Sequence, residues 1–251
     1  MSSQSDKLAL FMTATDTGVG KTTITAAIIL ALQKKGQRVG VVKPVETGIH
    51  PQRQKHSDTG RLRSLLSPPP PFEAVCLYAF PQPLAPLACA REAGMTIDIP
   101  QIVSYIHDLF QGYSCFIVEG AGGVFTPITP MHTMRDLMMT LNFPVLVVGR
   151  TTLGSVNHLF LTLEALQHAG IKTSGIVLNN PVPQQDMSRT RPQQASSVEL
   201  IRELTTVPVF GPVGFEKNVR THWRKGVEYL AQHPEIQRLT NHLIRIMGII
   251  P

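Results

Sequence analysis

Between an apolar run at Leu8–Thr13 and a helix-forming stretch from Thr22 to Lys35, the chain reads Ala14-Thr15-Asp16-Thr17-Gly18-Val19-Gly20-Lys21-Thr22. This is the spacing of a phosphate-binding loop, set where such a loop works, at a strand-to-helix turn. Gly18 and Gly20 let the backbone curl so that successive N–H groups face one anion, and the helix behind them aims its positive end at the same point. The Lys21 ammonium then reaches β- and γ-phosphates, and the Thr22 hydroxyl coordinates Mg2+. The first position of such a loop is usually glycine. Here it is Ala14, whose Cβ costs the loop some conformational freedom. The pattern predicts a nucleoside triphosphate, ATP or GTP, as ligand.

Apolar runs bounded by turn residues recur at Val39–Lys43, Cys115–Glu119, Val145–Gly149, Gly175–Leu178 and Val207–Phe210. Helical patterns fall between them, at Asp58–Leu66, Ile99–Phe110, Met134–Leu141, Val156–Ala169 and Ala195–Glu203, with a tail helix from Pro234. Strands alternating with helices imply an α/β fold: a doubly wound, mostly parallel sheet of the P-loop NTPase type. With 251 residues the chain has room for one well-buried domain, spanning 1–251. Gly36 and Gly170, each between a helix and a strand, are expected as left-handed helix caps. Ser67–Pro71 and Pro181–Pro192, rich in proline and polar residues, are expected as surface loops.

Lys and Arg number 23 against 17 Asp and Glu, a formal charge of +6 that favours anionic ligands without choosing among them. No basic block with interleaved aromatics indicates nucleic acid. No apolar stretch reaches membrane-spanning length and no signal peptide precedes the first strand. Cys76, Cys89 and Cys115 are far apart and form no CxxC pair, which fits a reducing cytoplasm better than a zinc site or a disulfide framework.

Three further positions carry chemistry, the first two with a bland alternative beside them. Lys43 ends the second apolar run, at the sheet edge where α/β proteins bind ligands, or is simply a solvated strand end. Ser57-Asp58 opens a helix, as a cap with an acidic first turn or as a metal ligand. Glu119 ends the run Cys115–Glu119 and leads into Gly120-Ala121-Gly122-Gly123, so its carboxylate is aimed into the same crevice.

Taken in order, the loop at 14–22, Lys43-Pro44 with Thr47-Gly48, Ser57-Asp58, Glu119 to Gly123, Gly154-Ser155-Val156-Asn157-His158 and Asn179-Asn180-Pro181 resemble the dethiobiotin synthetase family over about residues 8–215. The resemblance leaves 216–251 as a C-terminal helical extension. It implies an ATP- and Mg2+-dependent closure of a cyclic urea from 7,8-diaminononanoate and CO2, through a carbamate and a carbamoyl phosphate. It assigns Lys21, Lys43 and Thr17 to catalysis. It gives the nucleotide Gly18, Val19, Gly20, Lys21, Thr22, Thr23, Glu119 and Asn179, the last reading adenine unless it only makes an Asn-Asn-Pro turn. Mg2+ falls to Thr22, Asp58 and Glu119. Substrate falls to Thr17, Lys43, Thr47, Gly122, Ser155 and Asn157, the last two reaching its tail carboxylate from the partner subunit of a homodimer, or else capping their own helix.

Two rivals share the ATPase half. A cobyric-acid-type synthetase needs a glutaminase domain with a catalytic cysteine and histidine, for which the chain has no room. A ParA/MinD-like switch ATPase carries a second lysine early in the loop, which is absent from Ala14–Gly20. The tail alone favours that rival. Ile236, Leu239, Leu243, Ile246 and Ile250 form an apolar stripe at helical spacing, suited to core or dimer packing or to a membrane surface.

Overall fold

The computed structural model describes residues 7–180 and 187–246. Strand β1 (Leu8–Ala14) is followed by helix α1 (Lys21–Lys34) and β2 (Val39–Val42). An excursion then carries β3 (Val45–Thr47), a 3-10 turn at Pro51–His56, α2 (Asp58–Arg63), β4 (Tyr78–Phe80), α3 (Pro86–Glu92) and α4 (Ile99–Phe110). The chain returns as β5 (Cys115–Glu119), α5 (Met134–Leu141), β6 (Val145–Gly149), α6 (Ser155–His168) and β7 (Thr173–Asn179). It continues as α7 (Met187–Leu204), β8 (Val209–Val213), α8 (Asn218–Thr221), α9 (Trp223–Ala231) and α10 (Pro234–Ile246).

Six strands form one parallel sheet in the order β2-β5-β1-β6-β7-β8, while β3 and β4 pair separately. Side chains alternate between the two faces, as strand geometry requires. Leu8, Leu10, Met12 and Ala14 of β1 join α1, α9 and α10 on one side. Phe11, Phe116 and Val118 join α4, α5 and α6 on the other. The chain leaves β1 toward β2 and leaves β5 toward β6, so connections depart in opposite directions from neighbouring strands. A crevice opens there, at the carboxyl ends. In the register of the sheet Met12 is level with Glu119, and Val42 with Val118. Lys43, one residue past Val42, therefore emerges beside Glu119.

Gly36 and Gly170 do end their helices, at φ 79° and 67°. The structure departs from the sequence reading in several places. Residues 187–192, expected in a loop, form the start of α7 with Pro192 inside the helix; 181–186 lie outside the described residues. β8 starts two residues later than expected and ends three later, running through Gly211-Pro212, which an edge strand tolerates because one side of it needs no ladder bonds. Ala14 ends β1, and among the described residues Asn142 is the one non-glycine at positive φ, so the alanine strains nothing. The tail stripe is core: Ile236, Leu239 and Leu243 are fully buried against α1 and the sheet, and Ile246 is 42% exposed. Ile250 lies outside the described residues. No described helix is long and apolar enough to cross a membrane.

Candidate active site

The loop between β1 and α1 turns on Gly18 (φ 68°) and Gly20 (φ 93°), a left-handed geometry that a side chain would oppose. Gly20 is the residue before α1, whose first turn has neither a side-chain cap nor an acidic residue. Its N–H groups are thereby left to an anion. Val19 is buried, holding the loop to the core, while Thr17 is exposed on the rim. The Arg150 guanidinium donates to the Thr17 carbonyl across 3.3 Å.

Lys21 is buried and its ammonium donates to the Gly122 carbonyl at 2.8 Å. Burial and the nearby Lys43 charge lower its pKa to about 8. Phosphate oxygens there would favour its charged form. The Thr22 hydroxyl donates to Glu119 Oε1 at 2.6 Å, and the Lys43 ammonium donates to the same oxygen at 2.8 Å. Lys43 also lies 3.2 Å from Asp58 Oδ2. Burial works against the Lys43 charge, but Glu119, Asp58 and Glu46 outweigh it and push the ammonium further up. Burial likewise opposes charge on Asp58, yet Lys43, the Thr22 hydroxyl and Lys21 hold that carboxyl below the ordinary range.

Lys43 is thus no solvated strand end. At Ser57-Asp58 the cap with an acidic first turn is observed: the Ser57 hydroxyl caps α2 by accepting from Gly60 N–H at 3.0 Å, and the Asp58 carboxylate turns to Lys43. Among the described residues no three His, Cys, Asp or Glu side chains cluster as a metal cage. Thr22, Asp58 and Glu119 instead offer a hydroxyl and two carboxylates, and Glu119 Oε2 is buried without a hydrogen-bond partner. That donor set fits Mg2+, which keeps most of its shell as water and phosphate oxygen.

Two spaces flank the loop. On one side a cavity of about 170 Å³ is lined by Thr23, Asn179, Arg61, Phe215, Val219 and Arg220. Asn179 is buried and its Nδ2 donates to the Val19 carbonyl at 2.8 Å, which fixes the amide against the loop; Pro181, the last residue of the alternative Asn-Asn-Pro turn, lies outside the described residues. On the other side a groove of about 650 Å³ runs past Thr17, Gly123, Thr126 and His158. Ser155 is buried and its hydroxyl lacks a partner, whereas Asn157 is exposed; neither lines the groove, and neither caps α6, whose cap is Gly154. Thr47 is half-buried on β3, apart from the groove.

Sequence reasoning did not single out Glu46, Arg150, Arg61 or Thr126. Glu46 is 5% exposed and accepts the N–H groups of Asp58 and Thr59, and Thr126 Oγ1 accepts from Gly123 N–H at 2.9 Å. The partners of Glu46 and Arg150 lie 12 to 133 residues away and leave no local pattern.

The parallel sheet, its crevice and the loop within it define a P-loop nucleotide-binding protein. Residues 8–222 match the AAA domain family. The chain is 37% identical over 239 residues to the ATP-dependent dethiobiotin synthetase BioD of Anaeromyxobacter dehalogenans (strain 2CP-1), covering 95% of this chain and 96% of that one. It is 36% identical to the protein of the same name from Bacillus cereus (strain B4264), covering 82% of each. The chain belongs to the ATP-dependent dethiobiotin synthetase family, and is an enzyme of that family. Alignment over 239 residues extends past Phe215, so the tail is shared with that relative. The fold is also that of MinD in the MinC:MinD cell division complex of Aquifex aeolicus, at a TM-score of 0.61 and 18% identity over 97% of this chain and 98% of that one. At that identity the likeness is one of fold alone.

Proposed function

We propose that the protein closes the cyclic urea of dethiobiotin from 7,8-diaminononanoate, CO2 and ATP, releasing ADP and phosphate. The observation that carries this reading is Glu119, whose one carboxylate gathers Thr22 from the P-loop helix and Lys43 from the neighbouring strand, with Asp58 beside them. An amine adds to CO2 and loses a proton, giving a carbamate. A carbamate oxygen displaces ADP from the γ-phosphorus. The second amine then attacks the carbonyl carbon, phosphate departs with the carbon–oxygen bond pair, and the ring closes with loss of a proton to phosphate or water. Every intermediate is anionic. Lys21 and Lys43 offset that charge, and the loop N–H groups assist, which is electrostatic stabilisation rather than covalent catalysis. Mg2+, when bound by Thr22, Asp58 and Glu119, neutralises β- and γ-phosphate charge.

The Thr23 and Asn179 cavity takes the base, and the groove past Thr17 and Gly123 takes the diamine, with Gly122 at its edge. The active unit is a homodimer in which Ser155 and Asn157 of the partner subunit meet the substrate's carboxylate. The exposed Asn157, together with Phe125, Leu153 and Leu161, each more than half exposed, supports such an interface. Three buried free thiols suit work in the cytoplasm. The decisive experiment is dethiobiotin formation by purified protein from diaminononanoate, bicarbonate and MgATP. ATP hydrolysis without product would overturn the reading.

A further inference from the structure

Glu46 lies three residues beyond Lys43 on β3 and is buried, with both carboxylate oxygens committed to backbone. Oε1 accepts the Asp58 N–H at 2.7 Å and Oε2 the Thr59 N–H at 2.8 Å. With Gly60 N–H bonded to the Ser57 hydroxyl, all three N–H groups of the first turn of α2 are taken. Ser57 satisfies one of these three N–H groups and Glu46 the other two. The placement is electrostatically costly, because a carboxylate is 5% exposed there with the Asp58 carboxylate as a like-charged neighbour. What a two-pronged acceptor does that a single hydroxyl cannot is fix both the position and the orientation of a short helix.

The far side of α2 is equally constrained. A Cβ at Gly60 would run into the Gln54 carbonyl of the preceding 3-10 turn. One short segment, Lys43-Pro44-Val45-Glu46, therefore delivers the lysine at one end and at the other grips the residue whose carboxylate meets that lysine.

We propose that Glu46 is a positioning residue that holds the first turn of α2 so that Asp58 stands beside Lys43 and Thr22, where it receives MgATP. The inference rests on the reading of Asp58 as a Mg2+ ligand, and not on the identity of the second substrate. It is tested on the full chain by binding of a fluorescent ATP analogue at increasing Mg2+, with circular dichroism and thermal melting to confirm the fold. Glu46→Gln is isosteric but turns an amide NH2 toward one of the two N–H groups. It should raise the Mg2+ needed for half-maximal nucleotide binding about 10-fold, in the range usual for residues behind a metal ligand, and leave Mg2+-free nucleotide binding unchanged. Glu46→Asp, one methylene short, should behave the same way. Glu46→Gln added to Asp58→Ala should do no further harm, because both act through one carboxylate. A folded Glu46→Gln protein with the parent's Mg2+ dependence, or additive losses in the double variant, would show Glu46 to be structural only and overturn the proposal. Should Glu46→Gln melt below the assay temperature, Glu46→Asp carries the same comparison. A parent that binds MgATP but forms no dethiobiotin refutes the cyclo-ligase reading alone, and the Mg2+ comparison still decides on Glu46.

Discussion

The Lys43 ammonium sits 2.8 Å from Glu119, a carboxylate wholly shut off from solvent, and is that carboxylate's one charged neighbour within ion-pair distance among the described residues. Removing one member of a buried pair leaves the other uncompensated. Lys43→Ala should therefore destabilise the fold by about 3–5 kcal/mol. It should also lower turnover at least ~10²-fold, as loss of a preorganised charge contact does. Denaturant unfolding and dethiobiotin assays on the same preparation separate the two effects. Near-parent turnover in folded Lys43→Ala protein would remove Lys43 from the mechanism.

Glu235 predicts an acid limb in the stability curve. Burial opposes its charge, but Arg238 at 2.6 Å and the Gly211 N–H at 2.6 Å outweigh burial and hold its pKa below the ordinary value. A depressed folded pKa means that the contribution is full above the unfolded value of about 4.3 and is lost as pH falls through the folded one. Glu235→Gln should melt below the parent at pH 7, and the gap should close as pH drops below about 4. A gap that is constant with pH would show that the carboxylate charge is idle.

The tail helix α10 contributes to stability as core. Leu239 is fully buried, so Leu239→Ala should cost about 2–5 kcal/mol. In a chain of this size each kcal/mol corresponds to roughly 2–4 °C in Tm. The parent should not sediment with anionic vesicles, with or without ATP. Vesicle binding together with an unchanged melting temperature in Leu239→Ala would restore the membrane reading of this helix.

Complementation tests the dimer. Asn157→Ala should weaken diamine binding far more than ATP binding. Mixed with inactive Lys21→Ala protein it should regain activity, because each hybrid contains one site with both residues intact. Full activity from a monomer at assay concentration would exclude the composite site.

Much of this site is legible in sequence because its parts are local. The P-loop is one contiguous run, and Lys43 and Glu119 end apolar strands that a parallel sheet must align. Short elements were not legible. Val45–Thr47 and Tyr78–Phe80 are three residues each, below the length at which alternation can be read. α9 contains Gly226, which reads as a helix breaker. In the fold it lets α8 approach, since a Cβ there would strike the Val219 backbone. Glu46 is invisible for a different reason: its meaning lies in N–H groups 12 and 13 residues away, and no spacing rule links a strand carboxylate to them.

From Ile24 to Leu32 every residue of α1 is buried, and one side of that enclosure is built from α9 and α10. The helix that presents Lys21 and Thr22 is among the first segments synthesised, yet the residues that shield its back are made some 200 positions later. Until α10 has left the ribosome α1 lacks part of its cover, and an emerging chain carries an apolar helix with part of its surface exposed. The helix behind the phosphate-binding loop thus gains its full apolar cover late in synthesis, although it is encoded near the start.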